Sequence, residues 1–248
     1  GGGAGFSADY FGQAAADVES ALAKEDEGFV GIMSQGTSGD LHWLDYTRPQ
    51  TRITRSEYAR QNADRVVAAC RQIQHRTEVD LAMAESRIRL GRRLPNANRL
   101  AWAKPSTEAR GNRPPRDRPE VYAQQAEWID QHRDTEVVLQ AVRVGGLAIT
   151  AMPNEVYGIT GLKLKHQSPC EDTFNLELAN GAEGYIPPPE QHRLGGYTTW
   201  PARTAGLEEQ AEPKIVETVL SLLETVAEQP RRPLAEPESA YSEAVINA

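Results

Sequence analysis

Reactive side chains gather in three stretches of this 248-residue chain, and each stretch carries turn-forming residues beside them. SQGTSGDLHWLDY (34–46) holds Asp40 and His42, MPNEVYG (152–158) holds Glu155, and NGAEGYIPPPEQHRLGGYTTW (180–200) holds Tyr185, His192 and Tyr197. Carboxylate and imidazole groups transfer protons or bind metals. Each also has a plainer use: Asp40 as the cap of a turn, His42 as a structural histidine, Glu155 as the first-turn acid of a helix, where the dipole favours it. In the third stretch, prolines 187–189 fix φ and remove backbone donors, and Gly195-Gly196 permits backbone forbidden to other residues. Such a stretch is poor helix and poor strand, and reads as a loop of fixed shape.

The elements that would hold these loops follow from periodicity. Phe11, Ala14, Ala15, Val18 and Leu22 recur at helical spacing behind Ser7, a candidate cap. GFVGIMSQ (28–35) reads as a short buried strand, and Thr54 with Glu57 forms a capping box ahead of Tyr58, Val66, Cys70 and Ile73. Val79, Leu81 and Met83 alternate as a strand that resumes at Ile88 and Leu90. EVVLQAVRVGGLAITAMP (136–153) predicts a hairpin about Gly145-Gly146. A short helix over NEVYGITGLKLKH and a strand through Phe174, Leu176 and Leu178 come next. EPKIVETVLSLLETVAEQ (212–229) is the clearest helix, with Pro213 in its first turn and Ile215, Val216, Val219, Leu222, Leu223 and Val226 on one face. Interleaved helices and strands predict an α/β class with a mixed sheet and flanking helices.

A net charge of -8 argues against general affinity for nucleic acid or anionic membrane. The charge is uneven: ten basic residues against two acidic ones lie between Arg87 and Arg118. PSTEARGNRPPRDRP (105–119) has the composition of a solvated connection, so 87–119 reads as a basic insertion or loop, with a phosphate or lipid-headgroup site as the alternative. Cys70 and Cys170 have no spacing partners, so neither a disulfide framework nor a thiolate zinc site is expected. No apolar run reaches the ~20 residues needed to span a bilayer. The opening GGGAGFSADYFG lacks the basic region and apolar core of a signal peptide. Residues 230–248 read as a proline-rich linker or tail.

In order and content the three loops resemble the neutral ceramidase family, the neutral and alkaline non-lysosomal zinc amidases that cleave N-acylsphingosines. The resemblance covers roughly residues 6–228. FSADYFGQAAADVESAL and FVGIMSQGTSGDL are similar to family segments entering a helix and leaving a strand, and ITAMPNEVYGITGLKLK to the segment whose glutamate binds zinc. GYIPPPEQHRLGGY resembles the loop in which two tyrosines stand twelve positions apart. The resemblance implies Glu155 and Tyr185 as zinc ligands, Gly39 and Tyr197 as substrate-binding, and His42, Asp40 and Tyr197 as catalytic. It also implies a secreted, periplasmic or cell-surface location.

Two departures shape the expectation. The family's nucleophilic serine position is His42 here, which would act as a general base, as a ligand, or as an inert remnant. The family's two histidine zinc ligands lie upstream of the resembling part, so residues 1–229 read as the carboxy-terminal part of a catalytic domain, with an incomplete zinc site and a missing upstream half. His75, His132 and His166 read as surface residues, and His192 as a loop hydrogen-bonding group. The competing reading is a non-catalytic part of a larger secreted or surface protein that binds a glycan or lipid headgroup. The geometric expectation is that Glu155 and Tyr185 converge, with Asp40, His42 and Tyr197 lining the same concavity.

Overall fold

The computed structural model describes residues 5–25, 28–42, 44–50 and 52–234, in two compact units: 1–35 with 42–79, and 36–41 with 80–248. Part of the segment read as a tail, 235–248, lies outside the described residues.

The first unit is a helical pair, α1 (Asp9–Leu22) and α2 (Arg55–Cys70). Val18 and Leu22 of α1 meet Ala63 of α2, with Phe29, Val67 and Cys70 packed around them. Ser7 Oγ accepts the Asp9 N–H, and Thr54 with Glu57 forms the anticipated reciprocal capping box. On α2 the buried face is narrower than expected: Ala59 and Ala63 are buried, while Val66 and Ile73 are exposed. The expected strand at 28–35 does not form, and no ladder among the described residues includes it. Val30 and Ile32 are 67% and 85% exposed; a strand needs a partner for its backbone groups, and apolar content alone does not supply one.

The second unit is built on a four-stranded mixed sheet of order β1-β2-β3-β5: β1 (Leu81–Gly91), β2 (Asp134–Val144), β3 (Leu147–Ala151) and β5 (Asp172–Leu176). The first three strands are antiparallel, and β5 runs parallel to β3. Gly145-Gly146 closes the hairpin, with Gly145 at φ 60°. Between β1 and β2 lie α3 (Ala97–Arg110) and α4 (Arg118–Gln131). A second, two-stranded sheet pairs β4 (Glu155–Val156) with β6 (Tyr185–Ile186). Following β4 and β6 are α5 (Gly158–Gln167) and α6 (Pro189–Leu194), and α7 (Ala211–Ala227) completes the unit. The core sets Ile215, Val219 and Leu223 of α7 against Leu90, Val137, Leu139 and Ala148 of the sheet. No helix among the described residues is long and apolar enough to cross a membrane.

Three expectations change here. In β1 the inward side chains are Ala82, Ala84, Ile88 and Leu90, while Leu81 and Met83 point outward at 73% and 61% exposure. One continuous strand keeps one phase, so the outward apolar pair cannot share a face with Ile88. In β5 and the residues after it, Asn175 and Glu177 are buried, whereas Phe174 and Leu178 are exposed. The solvated connection expected at 105–119 is instead the end of α3, a turn and the start of α4. Ala103, Ala123 and Ala126 let the two helices approach closely. Asp117 caps α4, Pro119 lies in its first turn, and Arg113 binds Glu120, holding that carboxyl down to about 2.

Candidate functional site

Glu155 and Tyr185 face each other as partners in the parallel β4–β6 ladder, with Val156 opposite Ile186. The ladder is anchored on both sides. Glu155 N–H donates to the Gly184 carbonyl, Tyr185 N–H donates to Thr204, and Gly184 bridges to Ala205. Gly184 sits at φ +83°, and a Cβ there would come within 2.4 Å of the Thr204 backbone, so only glycine fits. Pro187 and Pro188, both buried, lead from β6 into α6, whose first residue is Pro189. The stretch read as irregular therefore contains a short strand, a short helix and a 3-10 turn, Tyr197–Thr199. Gly195 and Gly196, at φ 78° and 100°, turn the chain between the last two.

That turn brings Tyr197 back to the ladder. Its ring meets Tyr185 edge-on at 5.5 Å between centroids and meets Trp200 at 5.9 Å. The Tyr157 hydroxyl shares a hydrogen bond with Thr198. Burial pushes the Tyr185 phenol above its ordinary range, and the neighbouring Glu155 carboxylate and Tyr197 push it the same way. His192, on α6, has its imidazole pushed down by burial and by Arg93.

The segment 36–41 lies across the other side of β4. Gly39 N–H donates to the Val156 carbonyl at 2.7 Å, and a Cβ on Gly39 would meet the Glu155 carbonyl oxygen at 2.5 Å. Asp40 Oδ1 accepts the Gly158 N–H at 2.7 Å, capping α5 from a distance in sequence. The capping role therefore applies to Asp40, while its neighbour Gly39 is the residue against Glu155. Glu177, absent from the sequence-based set, ties these pieces together: it accepts from Ser38 N–H and Oγ and from Val156 N–H, at 2.6–3.1 Å. Burial raises its carboxyl above the usual range against those hydrogen bonds, and the Glu155 charge adds to the rise. Only its position one residue out of phase with Leu176 and Leu178 signalled it.

Glu155, Tyr185 and Tyr197 therefore meet, Gly39 lies against the strand that carries Glu155, and Asp40 lies at the start of the helix that follows it. His42 belongs to the first unit, where its Nδ1 accepts the Leu44 N–H at 3.2 Å and its ring lies 5.8 Å from Tyr46. As metal donors, Glu155 and Tyr185 are both oxygens, whereas zinc sites need three or four ligands dominated by nitrogen and sulfur. No group of three or more His, Cys, Asp or Glu side chains placed for a metal occurs among the described residues. The donors described here do not by themselves make a zinc centre.

No protein-family profile and no curated protein sequence matches the chain. Solved structures do. A neutral ceramidase from Pseudomonas aeruginosa superimposes with a TM-score of 0.60 at 14% identity, over 93% of this chain and 42% of that one. A structure described as ceramidase complexed with C2 gives 0.56 at 15% identity, over 95% and 45%. The chain shares the fold of these proteins and spans less than half the length of either.

Proposed function

We propose that this chain is part of a zinc-dependent amide hydrolase of ceramidase type, acting on an N-acylsphingosine or a related N-acyl substrate. The observation that carries the reading is the Glu155–Tyr185 rung with Tyr197 packed on it. Those two oxygens would be ligands of a zinc whose remaining ligands the described residues do not supply, and Tyr197 would hold the substrate amide. Gly39 and Asp40 fix the wall beside Glu155. The shared fold with neutral ceramidases supports the reading.

A second reading is favoured by His42. Its Nδ1 accepts the Leu44 N–H, and it stands where the family resemblance asks for a serine. In that reading the loops bind a glycan or lipid headgroup without turnover.

Metal analysis and hydrolysis assays separate the two. The 248-residue chain alone should carry little zinc and release no fatty acid from an N-acylsphingosine. The longer protein containing it should do so with zinc, and Glu155→Ala should abolish release. A folded, zinc-loaded longer protein that hydrolyses no amide or ester would remove the first reading. Stoichiometric zinc with turnover in the isolated chain would show that a histidine here supplies the missing ligands.

A further inference from the structure

The basic segment singled out in the sequence has a use that the amidase reading leaves untouched. Two of its arginines, Arg99 on α3 and Arg118 on α4, line one open cavity of about 650 Å³. Its other walls are chiefly rings: Trp102, Tyr122 and Trp200, with Asn98 at the edge. Trp102 and Trp200 are 48% and 39% exposed, and Trp200 meets Tyr122 edge-on at 5.9 Å between centroids. Several large apolar side chains of this protein are exposed, but here two exposed tryptophans and a tyrosine line one cavity together with two arginines, and that combination marks a binding surface.

The charge of the cavity narrows what it takes. Among the described residues, no carboxylate lines it. Arg118 makes no ion pair among the described residues, and the Arg99 side chain donates to the Pro201 carbonyl. Burial works against the charge on Arg99, so an anion brought to it would relieve that cost. Two guanidinium groups without acidic partners among the described residues, lining one cavity in a chain of net charge -8, favour an anion such as a carboxylate. A bare inorganic ion would leave the three rings without a role. Rings of this kind cover the apolar faces of a cyclic ligand, and the volume suits one or two sugar residues.

We propose that this cavity is a binding subsite for an acidic saccharide, with the sugar ring against Trp102 and Trp200 and its carboxylate on Arg99 and Arg118. The same chemistry is offered by a free acidic oligosaccharide and by the headgroup of an acidic glycolipid. The subsite adjoins the Tyr185–Tyr197 pair through Trp200, which meets Tyr197 at 5.9 Å, but it uses neither Glu155 nor Tyr185, so it is tested separately from the amidase reading.

Titrating the 248-residue chain with sialyllactose, followed by tryptophan fluorescence, should give saturable binding, and the neutral lactose should give none. Arg118→Gln and Trp102→Ala alter exposed side chains, and each should weaken binding ~10-fold or more while leaving the thermal transition in place. Co-flotation with vesicles carrying sialyl-lactosylceramide, but not lactosylceramide, would assign the lipid source; binding of the free sugar alone would assign the soluble one. Equal binding of lactose, displacement by phosphate as effective as by sialyllactose, failure of both sources to bind, or full affinity in both variants would overturn the proposal.

Discussion

Glu155 and Tyr185 occupy the same rung of a parallel ladder, so the acid and the phenol stand side by side although thirty positions separate them in sequence. The Tyr185 hydroxyl is held protonated by burial first and by the Glu155 charge next. Ultraviolet titration of tyrosinate should find one phenol ionising above the others. Glu155→Gln should lower that value without bringing it to the ordinary range, since burial remains. An unchanged titration in Glu155→Gln would mean that the two side chains do not interact.

Gly39 is a contact glycine. Its missing Cβ would lie 2.5 Å from the Glu155 carbonyl oxygen, and backbone cannot yield as a flexible side chain can. Gly39→Ala should cost ~1–3 kcal/mol of unfolding free energy by pushing segment 36–41 off β4. Gly146→Ala, with nothing within 4 Å of its Cβ, should stay within about 0.5 kcal/mol. Denaturant unfolding of the two variants checks the contrast, and equal losses would defeat it.

Glu177 gives the second unit a pH dependence of definite sign. Its folded-state carboxyl titrates above the ordinary glutamate value, chiefly through burial. Between the two values the folded chain keeps a proton that the unfolded chain has released. Its contribution to stability is therefore fullest below the ordinary value and is lost as pH rises through the raised one. Glu177→Gln keeps an acceptor for the Ser38 and Val156 N–H groups and should flatten this part of the stability curve measured by thermal melts. Glu177→Ala leaves both donors without their partner and should cost roughly 1–3 kcal/mol at neutral pH.

What the sequence made legible depended on how local the deciding interaction was. The hairpin was readable because Gly145-Gly146 and the alternation around it lie within one window, and α7 because its apolar face repeats over four turns. The mixed sheet followed from the order of such elements. The phase of β1 was not readable: Leu81 and Met83 attract attention, yet the inward positions hold alanines that fit beneath α7. Likewise the α3–α4 pair rests on Ala103, Ala123 and Ala126, small residues that leave no strong pattern, inside a stretch whose prolines and arginines suggest a loop. Glu155, Tyr185 and Tyr197 were picked out by resemblance, and their contact depends on chain reversals at Gly184 and Gly195-Gly196. Glu177 escaped notice because a buried acid between leucines looks like the solvent side of a strand.

The two-residue length of the β4–β6 ladder also sets the order in which the molecule is assembled. A parallel pair cannot be closed by a tight turn, and here α5 and β5 intervene between its strands. Closing so long a loop for two rungs of pairing returns little until the neighbouring sheet exists, whereas the β2–β3 hairpin closes through two glycines. The hairpin can therefore act as an early nucleus, and the rung carrying Glu155 and Tyr185 is completed late. The same residues that would meet a ligand are then among the first to separate when the fold opens, so a bound ligand stabilises the ladder most where the chain alone holds it least.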